Sequence, residues 1–104
     1  ASATQEWTEA ELVARGEEVY NANCSGCHQK DGSGIPGVFP AMIGSEVTNG
    51  PADYQIGMVL NGLRGMPAFK MLSDTDIASV ITYERRSFGN NGSVVQPSDV
   101  TSAR

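Results

Sequence analysis

Residues 24–28 read Cys24-Ser25-Gly26-Cys27-His28, and this histidine is the only one in the chain. Two thiols separated by two residues, followed at once by an imidazole, form the attachment signature of a c-type haem. Each thiol can add to one vinyl group of the porphyrin, and the imidazole is then placed to bind the iron. The motif therefore predicts one covalently held haem c, anchored by Cys24 and Cys27, with His28 as an axial ligand of the iron.

Two other interpretations of the motif stay open at this point. A thiol–disulfide pair usually lies in a βαβ setting, and the chain has no strand pattern. A structural zinc ion usually takes four Cys or His ligands. The chain offers 2 Cys and 1 His in all. Haem attachment is therefore the favoured interpretation.

The totals limit the classes of partner. A length of 104 residues fits one domain, 1–104. The net charge is −5, from 7 basic against 12 acidic residues, which disfavours nucleic acid and anionic membrane surfaces. No run approaches the ~18 apolar residues that span a bilayer, so we expect no direct membrane insertion by this chain. Its first residues lack the basic start and apolar run of a signal peptide, so we expect a processed or excised chain.

Local signals predict three main helices separated by long loops. Thr8 and Glu11 fit a capping box, Gly62 is a stop signal, and Ser73 is a cap followed by acidic residues. The predicted helices cover about 9–23, 52–61 and 74–87. The loops between them are rich in Gly and Pro, and we expect them to wrap around the haem. The core would then cover about 9–88, and the polar residues 89–104 are expected to form an extended, loosely packed tail.

The second axial ligand is sought among four methionines, because a thioether on iron raises the reduction potential and closes the site to oxygen. Met66 is followed by Pro67, which fixes its own backbone and biases Met66 away from helix. Met58 lies in a predicted helix, and Met42 and Met71 are expected to line the pocket. Met66 is therefore the predicted ligand.

Two further predictions concern residues around the motif. A ligating imidazole needs an acceptor for its other N–H, and the carbonyl of Pro40 is the expected one, although an ordinary turn proline is the alternative. Gly16 and Tyr20 share one helical face with Cys24, and Val80 and Tyr83 share a face of the last helix. We expect these two faces to cross. Trp7, Tyr54 and Phe69 could each line the haem or bind a propionate, and the sequence does not choose among them.

Together these residues resemble the class I cytochromes c, over about residues 10–88. Closer likeness is to the haem domain fused to subunit II of some bacterial haem–copper oxidases. It is carried by several segments: Val59-Leu60-Asn61-Gly62, Met66-Pro67-Ala68-Phe69, Leu72-Ser73-Asp74, Val80-Ile81-Thr82-Tyr83-Glu84-Arg85, Phe88-Gly89-Asn90-Asn91 and Val94-Val95-Gln96-Pro97-Ser98-Asp99-Val100.

The resemblance implies an all-α class I cytochrome c fold around one haem, with Cys24 and Cys27 as thioether anchors, His28 and Met66 as axial ligands and Pro40 as the carbonyl acceptor. It implies one-electron transfer from a donor protein to the copper centre of a terminal oxidase, with no catalysis by this domain alone. A free periplasmic electron shuttle is the alternative. A haem sensor or peroxidase-like enzyme is less favoured, because no second histidine is available as a distal group.

Two further expectations concern the cellular compartment of the protein and the way it docks to its redox partners. Covalent haem attachment is typically completed outside the cytoplasm, so we expect the periplasm or the extracytoplasmic face of the inner membrane. As isolated, the chain is expected to be a monomer. Lys30 and Lys70 are its only lysines, so a lysine-ringed docking face is absent. Docking of redox partners is expected to be mainly apolar, around Ile35, Val38, Ala68 and Phe69.

Overall fold

Helix α1 (Glu9–Asn23) begins at the predicted capping box. The Thr8 hydroxyl accepts a hydrogen bond from the Glu11 N–H at 3.1 Å, and the Glu11 carboxylate accepts one from the Thr8 N–H at 2.8 Å. Helix α2 (Ser25–His28) follows after a single residue and contains most of the attachment motif. The computed structural model describes residues 6–104.

Two of the remaining helices confirm the predicted pattern. Helix α3 (Ala52–Asn61) ends at Gly62, whose φ of 78° is the left-handed conformation that favours glycine. Helix α4 (Asp74–Arg86) starts at Ser73, whose hydroxyl accepts from the Asp76 N–H at 3.1 Å. Acidic residues in its first turn and basic residues in its last turn suit the helix dipole.

The crossing of α1 and α4 is the centre of the fold. Gly16 is buried under α4, and a Cβ built on it would overlap the Ser79 carbonyl oxygen and lie 2.6 Å from the Cβ of Tyr83. The rings of Tyr20 and Tyr83 lie 5.4 Å apart, and both pack on Phe88. The predicted crossing is therefore confirmed at Gly16, Tyr20 and Tyr83, and Val80 is buried in the core.

The hydrophobic core is built mainly by α1, α3 and α4. Its members come also from the loop after α2 and from the chain beyond α4. The buried apolar residues among the described part of the chain are Leu12, Tyr20, Met42, Ile56, Val59, Leu60, Ile77, Ala78, Val80, Ile81, Val95 and Val100.

The expectation of an extended, loosely packed tail over 89–104 is wrong. Residues Pro97–Ala103 form helix α5, and Val95 and Val100 are fully buried. Thr82 on α4 holds the segment around Val95 against this helix, since its hydroxyl donates to the Val95 carbonyl and accepts from the Val95 N–H, each at 3.0 Å. The tail packs because its two apolar side chains complete the core beside α4.

The long loops contain turns and no regular strand within residues 6–104. Isolated bridges join Ile35 to Phe39 and Leu63 to Met66. None of the described helices has the length and the apolar character needed to cross a membrane.

Candidate haem-binding site

The attachment motif is positioned by the junction of α1 and α2. The Cys24 N–H donates to the Tyr20 carbonyl at 2.8 Å and so ends α1, and the His28 N–H donates back to the Cys24 carbonyl at 3.0 Å. Both cysteines are free thiols, with Cys24 half-buried and Cys27 exposed. Burial, with the nearby Glu84 carboxylate, raises the pKa of Cys24 to about 12. Cys24 and the short helix that follows it thus present the two thiols and the imidazole within about one helical turn.

The imidazole of His28 is buried and oriented by the following loop. Its Nδ1 lies 2.8 Å from the Pro40 carbonyl oxygen. A carbonyl oxygen only accepts, so Nδ1 carries the proton and Nε2 keeps the lone pair that a metal requires. No other hydrogen bond to this ring is made within residues 6–104. The structure therefore brings His28 and Pro40 together in the expected way, and the ligand role of His28 stays a prediction.

Gly34 allows the loop to carry Pro40 back to the imidazole. Its N–H donates to the His28 carbonyl at 2.9 Å, and its φ is 66°. A Cβ at this position would lie 2.6 Å from the Phe39 carbonyl oxygen and 2.7 Å from the carbonyl carbon of Pro40. Only glycine fits here without moving the backbone on which the acceptor of the imidazole proton lies.

Met66 lies on a tight turn at the end of α3. Its N–H donates to the Leu63 carbonyl at 2.9 Å and its carbonyl accepts from the Leu63 N–H at 3.2 Å. Its side chain is half-buried against the core, whereas the side chain of Met71 keeps 76% of its surface exposed. Met66 thus has a fixed backbone on a loop, as expected of a ligand, and its role stays a prediction.

An unusual distribution of apolar surface tests whether a porphyrin fits. Large apolar side chains normally leave water on folding. Six of them remain exposed in the described chain, and all lie in the segment that links the attachment motif to α4: Ile35, Val38, Ile43, Tyr54, Leu63 and Met71. A large apolar plate held at Cys24 and Cys27 is the kind of group that such side chains could cover, so the residues present fit a haem.

Sequence reasoning missed a buried polar cluster on α4. Glu84 is only 4% exposed and Arg85 only 2%. The Glu84 carboxylate accepts from the Gln55 side-chain amide at 2.9 Å, and Arg85 donates to the amide oxygen of Gln55 at 3.0 Å. Burial, opposed in part by this Gln55 hydrogen bond, raises the pKa of Glu84 to about 8. A signal was available, because Glu84 follows Ile77, Val80 and Ile81 on one helical stripe.

Comparisons with known proteins agree with this arrangement. The model of a protein family described as cytochrome c oxidase, cbb3-type, subunit III matches residues 11–83. The chain is 36% identical over 93 residues to cytochrome c-552 of Thermus thermophilus, covering 74% of this chain and 70% of that protein. It is 40% identical over 74 residues to cytochrome c6 of Leptolyngbya boryana, covering 68% of this chain and 87% of that protein.

A third relative is much longer. The chain is 34% identical over 103 residues to the cytochrome c subunit of the quinone alcohol dehydrogenase of Gluconobacter oxydans. The match covers 86% of this chain and 22% of that subunit.

Proposed function

We propose, since this chain belongs to the cytochrome c domain family, that His28 and Met66 are the axial ligands of its haem iron. In the same proposal, Cys24 and Cys27 carry the thioether bonds. The family carries electrons through covalently bound haem c, which supplies a one-electron Fe(III)/Fe(II) couple. The observation that carries the ligand assignment is the 2.8 Å contact between His28 Nδ1 and the Pro40 carbonyl oxygen.

Each residue of the site has its own part in this function. The hydrogen bond to Pro40 fixes the orientation and the tautomer of the His28 ring. The thioether of Met66 raises the reduction potential and excludes oxygen from the iron. The loops that carry Pro40 and Met66 would also limit the access of water to a bound haem, which is a further means by which a protein tunes the potential.

The experiment is an optical spectrum of the oxidised protein. A weak band at the red end of the spectrum reports sulfur on iron. We expect this band to be present in the wild type and absent in Met66→Ala. Met58→Ala is the matched control, because that residue lies inside helix α3, and it should keep the band. A band that persists in Met66→Ala would show that another group is the ligand.

The same samples test the alternative of a haem sensor or peroxidase-like enzyme. The only histidine in the chain is held at Pro40, so a distal acid–base histidine is not available. We expect the reduced wild type to bind carbon monoxide slowly and Met66→Ala to bind it fast. Rapid binding by the wild type would favour the sensor.

The electron acceptor we propose is the copper centre of a terminal oxidase, with the chain acting in the periplasm or at the extracytoplasmic face of the inner membrane. The segments after α4 that resemble the domain fused to oxidase subunit II support this proposal. A free periplasmic shuttle is the alternative. The gene separates the two, since membrane segments and a copper motif encoded upstream indicate the oxidase subunit.

Docking of redox partners is proposed to use an apolar face formed by Ile35, Val38, Ala68 and Phe69. Val38 is 65% exposed, and Ala68 is exposed beside Met66. Ionic screening acts on charges and leaves apolar burial largely unchanged. We therefore expect the rate of electron transfer to a partner to vary little with ionic strength, and Val38→Asp to slow it. A steep salt dependence would contradict this docking mode.

A further inference from the structure

Glu84 is a buried carboxylate that the proposed function does not use. Its side chain is 4% exposed, and the one hydrogen bond it accepts from residues 6–104 comes from the neutral amide of Gln55, at 2.9 Å. Burying an anion with a single neutral donor is costly, so such a group responds strongly to any change in nearby charge.

The neighbouring cation does not neutralise this carboxylate directly. Arg85 spends its guanidinium on the carbonyls of Ser93, Gly50 and Val47, at 2.8, 2.7 and 3.3 Å. It reaches Glu84 only through the side chain of Gln55, whose oxygen faces Arg85 and whose nitrogen faces Glu84. No cation within residues 6–104 contacts the carboxylate directly, so its charge depends on whether it carries a proton.

Glu84 follows Tyr83 on α4, and the ring of Tyr83 lies 5.4 Å from that of Tyr20, whose carbonyl accepts from the Cys24 N–H. The charge of Glu84 acts on Tyr20 of α1 and on the free thiol of Cys24. For each of these groups, burial is the largest cause that raises the pKa, and the Glu84 carboxylate is the second. The Tyr20 hydroxyl stays neutral through the physiological range, and Cys24 as a thioether has no proton to exchange, so Glu84 is the group here that can take up or release a proton.

We propose that Glu84 is a redox-linked proton site, which takes up one proton from solvent when the haem held at Cys24 gains an electron and releases it when the electron leaves. This inference rests on the proposed attachment of the haem at Cys24. The electron comes from the redox partner, the proton comes from water, and the carboxylate becomes a carboxylic acid. Oxidised haem iron carries one more positive charge than reduced iron, so oxidation favours the anion and reduction favours the acid.

The burial of Glu84 places this proton exchange in the physiological pH range. Burial raises the pKa of Glu84 to about 8, so a modest change in the charge of the haem moves the proton at pH values near neutrality. An exposed glutamate titrates several units lower and would stay ionised in both redox states.

The first test is the reduction potential of the holoprotein measured from mildly acidic to alkaline pH. We expect the reduction potential to fall with rising pH between the pKa of Glu84 in the oxidised protein and its pKa in the reduced protein. Outside this pH range the potential should be constant. A tenfold difference in proton affinity between the redox states corresponds to a fall of about 59 mV. Glu84→Gln should remove this step. The exposed Glu18→Gln, on α1, is the matched control and should retain it.

A second readout needs no variant and therefore does not depend on how Glu84→Gln folds. The side-chain amide of Gln55 donates to Glu84, so its ¹⁵N–¹H resonances report the protonation of the carboxylate in the wild type. We expect the midpoint of this titration to lie at higher pH in the reduced protein than in the oxidised protein.

Three outcomes would overturn the proposal: a flat potential in the wild type, a step that survives in Glu84→Gln, or one Gln55 midpoint in both redox states. A step that survives would instead assign the proton to other groups, such as the haem propionates. Failure of the proposed function is distinct, because it would appear as the absence of a covalent haem or of the sulfur–iron band.

Discussion

Replacement of Gly16 by alanine tests the helix crossing on which the fold depends. In α1 the added Cβ would overlap the Ser79 carbonyl oxygen and lie 2.6 Å from the Cβ of Tyr83, both on α4. These atoms belong to a helix backbone or to its first side-chain carbon, so they cannot rotate away. Overpacking of this kind costs up to ~3 kcal/mol, whereas replacing Gly by Ala within a helix gains about 1 kcal/mol. The expected net loss in the free energy of unfolding is therefore about 2 kcal/mol.

The assay is equilibrium unfolding in guanidinium chloride, followed by circular dichroism on proteins of equal haem content. Gly57→Ala in α3 is the matched control, since within residues 6–104 no atom outside its own stretch of helix lies within 4 Å of the Cβ it would add. It has the same gain in helix propensity without the clash, so we expect it to be stabilised by ~0.5–1 kcal/mol. If Gly16→Ala proves as stable as Gly57→Ala, the close approach of α1 and α4 is wrong.

Three further perturbations probe other parts of the fold. Asn90→Ala removes the side-chain donor to two buried carbonyls, those of Met42 at 2.7 Å and Glu84 at 2.9 Å, so denaturant unfolding should show a loss of about 2–4 kcal/mol; no loss would contradict these bonds. The free energy of unfolding of Glu84→Gln should rise relative to that of the wild type as pH rises from 4.5 to about 8, by up to roughly 5 kcal/mol. The reason is that the carboxyl of the wild type loses its proton at lower pH in the unfolded chain than in the folded chain. A difference between the two proteins that stays constant in unfolding curves recorded over this pH range would refute this. Thr8→Ala should cost about 1 kcal/mol, measured in the same way, through the lost cap of α1, and an unchanged midpoint would argue against that cap.

The parts of the fold that the sequence predicted depend on chemistry between near neighbours. The starts of α1 and α4 follow from the hydroxyls of Thr8 and Ser73, and the end of α3 follows from Gly62. Each of these signals acts within one helical turn, so it can be recognised without knowing the rest of the structure. The crossing at Gly16 was also predictable, because a glycine among apolar residues of a helix favours close approach.

The C-terminal error had two causes. The start of α5 carries a local signal that was overlooked, since the Asp99 carboxylate accepts from the Gln96 N–H at 2.9 Å and Pro97 occupies the first helical position. The burial of Val95 depends on its two hydrogen bonds with Thr82, 13 residues earlier in the chain. Pairing of that kind is tertiary, and a polar composition conceals it.

The candidate site shows the same division. The contact between His28 and Pro40 was predictable, because a ligating imidazole needs an acceptor and the loop that follows has few rigid residues. The surroundings of Arg85 were not predictable, because its guanidinium collects acceptors from three separate segments, at Val47 and Gly50, at Gln55 and at Ser93. Only the folded chain brings these segments together.

Covalent attachment is the central claim, and the mass of the intact chain after extraction with acidified organic solvent tests it most directly. We expect the pigment to remain with the polypeptide, whose mass should exceed that of its sequence by one haem. The double variant Cys24→Ala/Cys27→Ala should lose both the colour and the added mass. A colourless wild-type chain with the mass of its sequence alone would contradict the account.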